Sequence, residues 1–157
     1  MWDAVEQPEL KAGNSEEKES VGKDIRARIL IIDDDPHFLR VLQRLLSSEK
    51  FEVSATSNPC EALGFLSSGS FELVICDLRM PDCDGLNLLQ TLRSAGSAVP
   101  VIILTAYGEV DTYLEAMNAG ATEYLNKPIK SDELVKVVRN CLLKGNHRRN
   151  SRHSNNV

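Results

Sequence analysis

The sequence predicts a doubly wound α/β domain, a parallel sheet covered by helices on both faces. Three observations carry that expectation. Strand-like and helix-like periodicities alternate about five times along the middle of the chain. Two of the strand signals, Ile29-Leu30-Ile31-Ile32 and Val101-Ile102-Ile103-Leu104, are continuous apolar runs that need cover on both sides. A β-α order repeated in this way is built from parallel strands with right-handed crossovers.

Each element has its own local reason. Arg28 to Ile32 is the first strand. Asp35-Pro36 then opens a helix, with Asp35 as the N-cap and Pro36 at the first helical position. Phe38, Leu39, Leu42, Leu45 and Leu46 give that helix one apolar face. Phe51 to Ala55 alternates as a second strand. Asn58-Pro59-Cys60-Glu61 supplies an N-cap, a first-turn proline and a capping-box acid, with Ala62, Leu63, Phe65 and Leu66 behind them. Leu73 to Cys76 is the third strand. Leu86, Leu89 and Leu92 mark the third helix, which Gly96 ends. After the fourth strand at Val101, Val110 to Ala119 forms a weaker helix, anchored by Leu114 and Met117 and closed by Gly120. Glu123 to Asn126 is a short, half-polar fifth strand. Ser131 caps a last helix that carries Leu134, Val135, Val138, Cys141 and Leu142.

The chain has 157 residues, a one-domain length, and 42% hydrophobic with 26% charged residues suits a core-bearing globular protein. A formal charge of −5 argues against nucleic acid as the main partner. The ends differ in sign. Residues 1–25 are rich in acids, whereas 144–157 hold Lys144, Arg148, Arg149 and Arg152 with no acid. Neither end has apolar periodicity, so both are expected to be disordered tails around a domain at 26–143. The basic end carries too few charges to predict direct DNA binding by this chain. Cys60, Cys76, Cys83 and Cys141 include no CxxC pair, so most are expected to be small core residues rather than zinc or disulfide partners. No apolar run approaches the ~20 residues that span a bilayer, and the acidic start is unlike a signal peptide. A cytoplasmic protein without membrane contact is expected.

Ligands of doubly wound sheets bind at the carboxyl ends of the strands. Those tips carry Asp33, Asp34 and Asp35 after the first strand and Asp77 after the third. Thr105 follows the fourth strand and Lys127-Pro128 the fifth. Carboxylates gathered at one edge repel each other and call for a cation. A few hard oxygen ligands with room for water suit Mg²⁺. An ammonium and a hydroxyl nearby suit a phosphoryl group, and a carboxylate can act as its nucleophile. The pattern points to a site that carries an acyl phosphate. Lys127-Pro128 is expected to be cis, because the lysine must turn back toward Asp77. Asp82 and Asp84 are read as turn residues.

The motifs "ILIIDDDP", "LVICDLRMPDCDG", "VIILTAYG" and "GATEYLNKP", in this order, resemble the receiver domain of two-component response regulators. The resemblance covers the folded part and neither tail. It implies a flavodoxin-like (βα)5 fold with strand order 2-1-3-4-5. It further implies that Asp77 is the phosphoacceptor and that Asp33 and Asp34 are the acidic pair. Asp34 would hold Mg²⁺ directly and Asp33 largely through water, with the backbone carbonyl of Arg79 as a further ligand. Thr105 would be the switch hydroxyl, Tyr124 the switch aromatic and Lys127 the phosphate-pairing lysine. The implied donor is a sensor histidine kinase or a phosphotransfer protein. The implied output surface is the fourth helix, fifth strand and fifth helix, used for a self-dimer or a downstream effector protein. Such a protein is a switch, not a turnover enzyme, catalysing only its own phosphoryl transfer and dephosphorylation. Cys83 stands where the family often has methionine.

Two other readings compete. An aspartate-nucleophile phosphohydrolase would use the Asp33-x-Asp35 spacing, but Pro36 follows at once and no later acidic cluster supplies a second metal arm. A flavin-binding flavodoxin would need Ser, Thr or Gly donors after the first strand, where this chain offers three acids. Arg79 and Tyr107 are bulky neighbours of Asp77 and Thr105, so an acyl phosphate here is expected to last minutes or longer. No second domain is expected in these residues, which leaves a stand-alone receiver or the front of a longer regulator.

Overall fold

The computed structural model describes residues 26–106 and 108–153. Expectations that concern residues 1–25, Tyr107 and residues 154–157 lie outside the described residues. Five strands form one parallel sheet: β1 (Arg28–Ile32), β2 (Glu52–Thr56), β3 (Leu73–Cys76), β4 (Val101–Thr105) and β5 (Glu123–Asn126). Its order is β2-β1-β3-β4-β5, the order expected. Helices α1 (Pro36–Ser48), α2 (Pro59–Ser68), α3 (Gly85–Ser94), α4 (Val110–Asn118) and α5 (Ser131–His153) connect and follow the strands. After β3, Arg79–Met80 and Cys83–Asp84 make a short antiparallel ribbon that folds the chain back toward α3.

Strand side chains alternate between two cores, as period-two geometry requires. Ile29, Ile31, Leu73, Ile75, Ile102 and Leu104 pack with Leu39, Leu42 and Leu46 of α1 and with Leu134, Val138 and Cys141 of α5. Leu30, Ile32, Val74, Cys76, Val101 and Ile103 face Ala62 of α2, Leu88, Leu89 and Leu92 of α3, and Ala116 of α4. Burial on both faces explains why β1 and β4 read as continuous apolar runs.

Asp35 caps α1 as expected, its carboxylate accepting from the N–H groups of His37 and Phe38. Asn58 caps α2 in the same way through Cys60 N–H. Glu61 does not complete a capping box. The buried Thr56 hydroxyl needs a partner and donates to Glu61 Oε2 at 2.8 Å, while Asn58 N–H donates to Thr56 Oγ1. Asp84, read as a turn residue, is the N-cap of α3.

Three further expectations are corrected. Leu114 does not anchor α4; it is 51% exposed, and Ala116 is the buried residue. Two helical steps turn a side chain by about 200°, so burying Ala116 aims Leu114 at solvent. Ser131 lies inside the first turn of α5, because Lys130 carbonyl already accepts Leu134 N–H. Finally, α5 does not stop near Leu143 but continues as a helix to His153. Its first turn carries Asp132 and Glu133, which suits the positive end of the helix dipole. Gly145 lets it pass close to the chain before β4, since a Cβ there would lie 3.2 Å from Pro100 Cγ.

Cys76 and Cys141 are buried as expected, whereas Cys60 is exposed and Cys83 partly so. Among the described residues no helix is long and apolar enough to cross a membrane.

Candidate functional site

Backbone bonds continue past the strand ends and so fix where each acid emerges. Asp77 N–H donates to Ile32 carbonyl at 2.9 Å, and Asp33 N–H to Thr56 carbonyl at 3.2 Å. Lys127 N–H donates to Thr105 carbonyl at 2.8 Å, and the following Lys127–Pro128 bond is cis, as expected. Gly85 closes the loop from behind. A Cβ at that position would lie 2.3 Å from Asp77 carbonyl, so only glycine fits this approach.

Asp33, Asp34 and Asp77 thereby meet, each offering an oxygen within 4.8 Å of the others. Asp33 and Asp77 are buried and Asp34 is exposed. Asp33 uses both oxygens. Oδ1 accepts from Asp35 N–H at 3.0 Å, and Oδ2 accepts from Lys127 Nζ at 2.5 Å. Asp77 is held more loosely, with Lys127 Nζ at 3.4 Å from Oδ2 and Arg79 N–H at 3.4 Å from Oδ1. Its lone pairs are therefore the more available. Thr105 is fully buried beside this edge at the end of β4.

The charges of this cluster are coupled. Burial pushes the Asp33 carboxyl above its usual range, only partly offset by the bond from Lys127 and the N–H of Asp35. Burial pulls Lys127 the other way, toward loss of its proton, but the bonds and charges of Asp33 and Asp77 outweigh it and hold the ammonium. Both groups are raised because burial falls harder on Asp33, at 3% side-chain exposure against 18% for Lys127. The ring of Phe38 lies under the same ammonium, with its centroid 4.0 Å from Nζ.

Tyr124 stands on the edge strand β5, turned toward α4. Its hydroxyl is 2.8 Å from Thr112 Oγ1, and its ring meets Tyr113 edge-on at 5.5 Å. The Thr112 hydroxyl also donates to Glu109 carbonyl and accepts from Glu109 N–H. Either hydroxyl can donate in the Thr112–Tyr124 pair. Tyr124 is tied to the first turn of α4.

Sequence reasoning brought together Asp33, Asp34, Asp77 and Lys127. It missed Phe38, counted only as an apolar-face residue, and Thr112 and Gly85. The signal for Phe38 was its place in the first turn after the acid run. A groove lined by Ser70, Arg93, Pro100 and Thr122 lies at the opposite end of the sheet, away from this chemistry.

Comparison with known proteins agrees with this geometry. The family model for the response regulator receiver domain matches residues 29–139. The transcriptional regulatory protein ZraR of Klebsiella oxytoca is 40% identical over 106 residues, which are 68% of this chain and 24% of that protein. The regulatory protein AtoC of Escherichia coli is 36% identical over 126 residues, 80% of this chain and 27% of that protein. A CheY-like receiver domain from Methanospirillum hungatei superposes with a TM-score of 0.75 at 28% identity, over 78% of this chain and 98% of that one. The chain thus spans about a quarter of the length of these curated relatives. It belongs to the response regulator receiver domain family, the signalling switches of two-component systems.

Proposed function

We propose that Asp77 accepts a phosphoryl group and that this charge switches a distant face of the domain. The observation that carries the reading is the contrast between the two buried acids. Both oxygens of Asp33 are engaged by short bonds, whereas both contacts of Asp77 are 3.4 Å long. The same contrast disfavours a phosphohydrolase that uses Asp33 as nucleophile. In the transfer, an Asp77 carboxylate oxygen bonds to phosphorus while the donor's P–N or P–O bond breaks, its electron pair leaving with the donor. Lys127 pairs with one phosphoryl oxygen, and Thr105 moves to donate to another.

The donor set suits a small hard cation. Two direct ligands of Mg²⁺ lie at most about 4.2 Å apart, so oxygens within 4.8 Å fit two direct carboxylates and a third through water. Asp34, Asp77 and the Arg79 carbonyl would hold the ion, with Asp33 behind a water because its own oxygens are already bonded. When bound, Mg²⁺ would spread the negative charge that develops on the phosphoryl group.

The physiological donor would be a sensor histidine kinase or a phosphotransfer protein. The output surface would be α4, β5 and α5, recognised by an effector or a second copy. Exposed Val110, Tyr113 and Leu114 on α4 support this, as does the Tyr124–Thr112 tie between β5 and α4. An acyl phosphate carries roughly −1.5 to −2 charge, enough to bias a weakly anchored helix.

Incubation with acetyl phosphate tests the reading. Labelling is expected to require Mg²⁺, to vanish in Asp77→Asn and to be crippled in Asp34→Ala. Full labelling of Asp77→Asn would overturn the assignment. NMR shifts that stayed at the acids and left residues 110–127 unmoved on forming an acyl-phosphate mimic would overturn the switch.

A further inference from the structure

The Lys127 ammonium is held on three sides. Two are carboxylates, Asp33 Oδ2 and Asp77 Oδ2. The third is the ring face of Phe38, 4.0 Å from Nζ to the centroid. An ammonium has three donors and no acceptor, and a ring face satisfies one of them without a charge. That difference matters at this site. A further carboxylate would add to the repulsion in the acidic cluster and compete with an incoming phosphoryl oxygen for the lysine. An aromatic face attracts the cation, sheds water from it and leaves it free to be pulled toward a stronger anion.

We propose that Phe38 is a positioning residue for phosphoryl transfer, its ring holding the Lys127 ammonium over Asp77. The inference rests on the reading of Asp77 as phosphoacceptor and deepens it. Phe38 is itself fixed by the acid run. The Asp35 carboxylate that caps α1 accepts Phe38 N–H at 3.3 Å, and the half-buried ring packs against the core of α1 and α5, as Leu125 and Ile129 also do. Two acids of one run thus have divided roles. Asp33 bonds the lysine, and Asp35 sets the ring that steadies it.

Three variants separate a ring-face role from simple core filling. Phe38→Leu and Phe38→Met keep apolar bulk without a π face, while Phe38→Tyr keeps the face. The first readout is the NMR shift of the Lys127 ε-methylene protons, which the ring should move upfield. The second is the rate of Asp77 labelling by acetyl phosphate at saturating Mg²⁺. Leucine and methionine are expected to abolish the upfield shift and to slow labelling about 5-fold, the equivalent of ~1 kcal/mol for a partly exposed cation–π contact. Tyrosine is expected to restore both. Labelling of both Phe38→Leu and Phe38→Met at the wild-type rate would overturn the proposal, as would a Phe38→Tyr rate as slow as theirs. Should neither apolar variant fold, absence of the upfield shift in the wild-type protein would overturn it, and its presence there and in Phe38→Tyr would support it. A wild-type protein that takes no label on Asp77 would instead defeat the phosphoacceptor reading, whatever the proton shifts show.

Discussion

Replacing Asp77 by Asn should make the metal-free protein more stable while abolishing its phosphorylation. Asp77 Oδ2 lies 3.4 Å from the Lys127 ammonium, an attraction of about 5 kcal/mol at an effective dielectric near 20. Its oxygen also lies within 4.8 Å of one from Asp33, a repulsion of at least about 3.5 kcal/mol on the same scale. Exposed Asp34 adds roughly half as much again, because solvent screens it. Attraction and repulsion nearly cancel. What remains is the cost of keeping a carboxylate charged at 8% side-chain exposure, several kcal/mol even after relaxation. An amide of the same shape escapes most of that cost. The expected gain in EDTA is about 2 kcal/mol, a rise of roughly 6–10 °C in Tm. Saturating Mg²⁺ should narrow or reverse the gap, since a ligand at 100 times its Kd stabilises the wild type by ~2.7 kcal/mol and the variant lacks one charged ligand. Thermal unfolding of both proteins with EDTA and with Mg²⁺ measures this. A variant less stable than wild type in EDTA would refute the electrostatic account. Equal stabilisation of both by Mg²⁺ would refute the ligand role of Asp77.

Gly85→Ala places a Cβ 2.3 Å from Asp77 carbonyl and 3.1 Å from Leu78 Cα; unfolding should show a loss of ~1–3 kcal/mol, and labelling of Asp77 should slow with it. Thr112→Val removes the hydroxyl that bonds the Tyr124 phenol and accepts Glu109 N–H, at a cost of ~0.5–1.5 kcal/mol. Tyr124 ring signals should shift and hydrogen exchange at Glu109 should quicken, and unchanged spectra would sink the assigned bond. Thiol alkylation followed by mass spectrometry should mark exposed Cys60 first and spare Cys76 and Cys141 in the native protein. Burial raises both buried thiols, Cys141 to about 11, so the reactive thiolate is scarce there until the pH approaches that value. Rapid native labelling of Cys141 at mildly alkaline pH would contradict its burial.

Most of the fold was legible because its signals are local. Apolar runs covered on both faces can only be central strands, and Asp35-Pro36 and Asn58-Pro59 announce helix starts within a few residues of chain. The rule that parallel sheets bind at strand tips then located Asp33, Asp34, Asp77, Thr105 and Lys127 without a coordinate. What local pattern did not carry was decided by packing. Glu61 had a capping role open to it, but the buried Thr56 hydroxyl claimed it. In α4 the larger Leu114 lost the core position to Ala116, because facing the sheet is a property of the whole helix and not of its most apolar residue. Along α5, Gly145 passes close to Pro100, a contact between distant segments that no local pattern announces. The sharpest case is Lys127, which meets Asp33 across 94 residues of chain. Sequence could say that both stand at strand ends. Which oxygen the ammonium takes, and that the Phe38 ring lies beneath it, depends on distances of a few ångströms that exist only once β1, β3, β4 and β5 lie side by side.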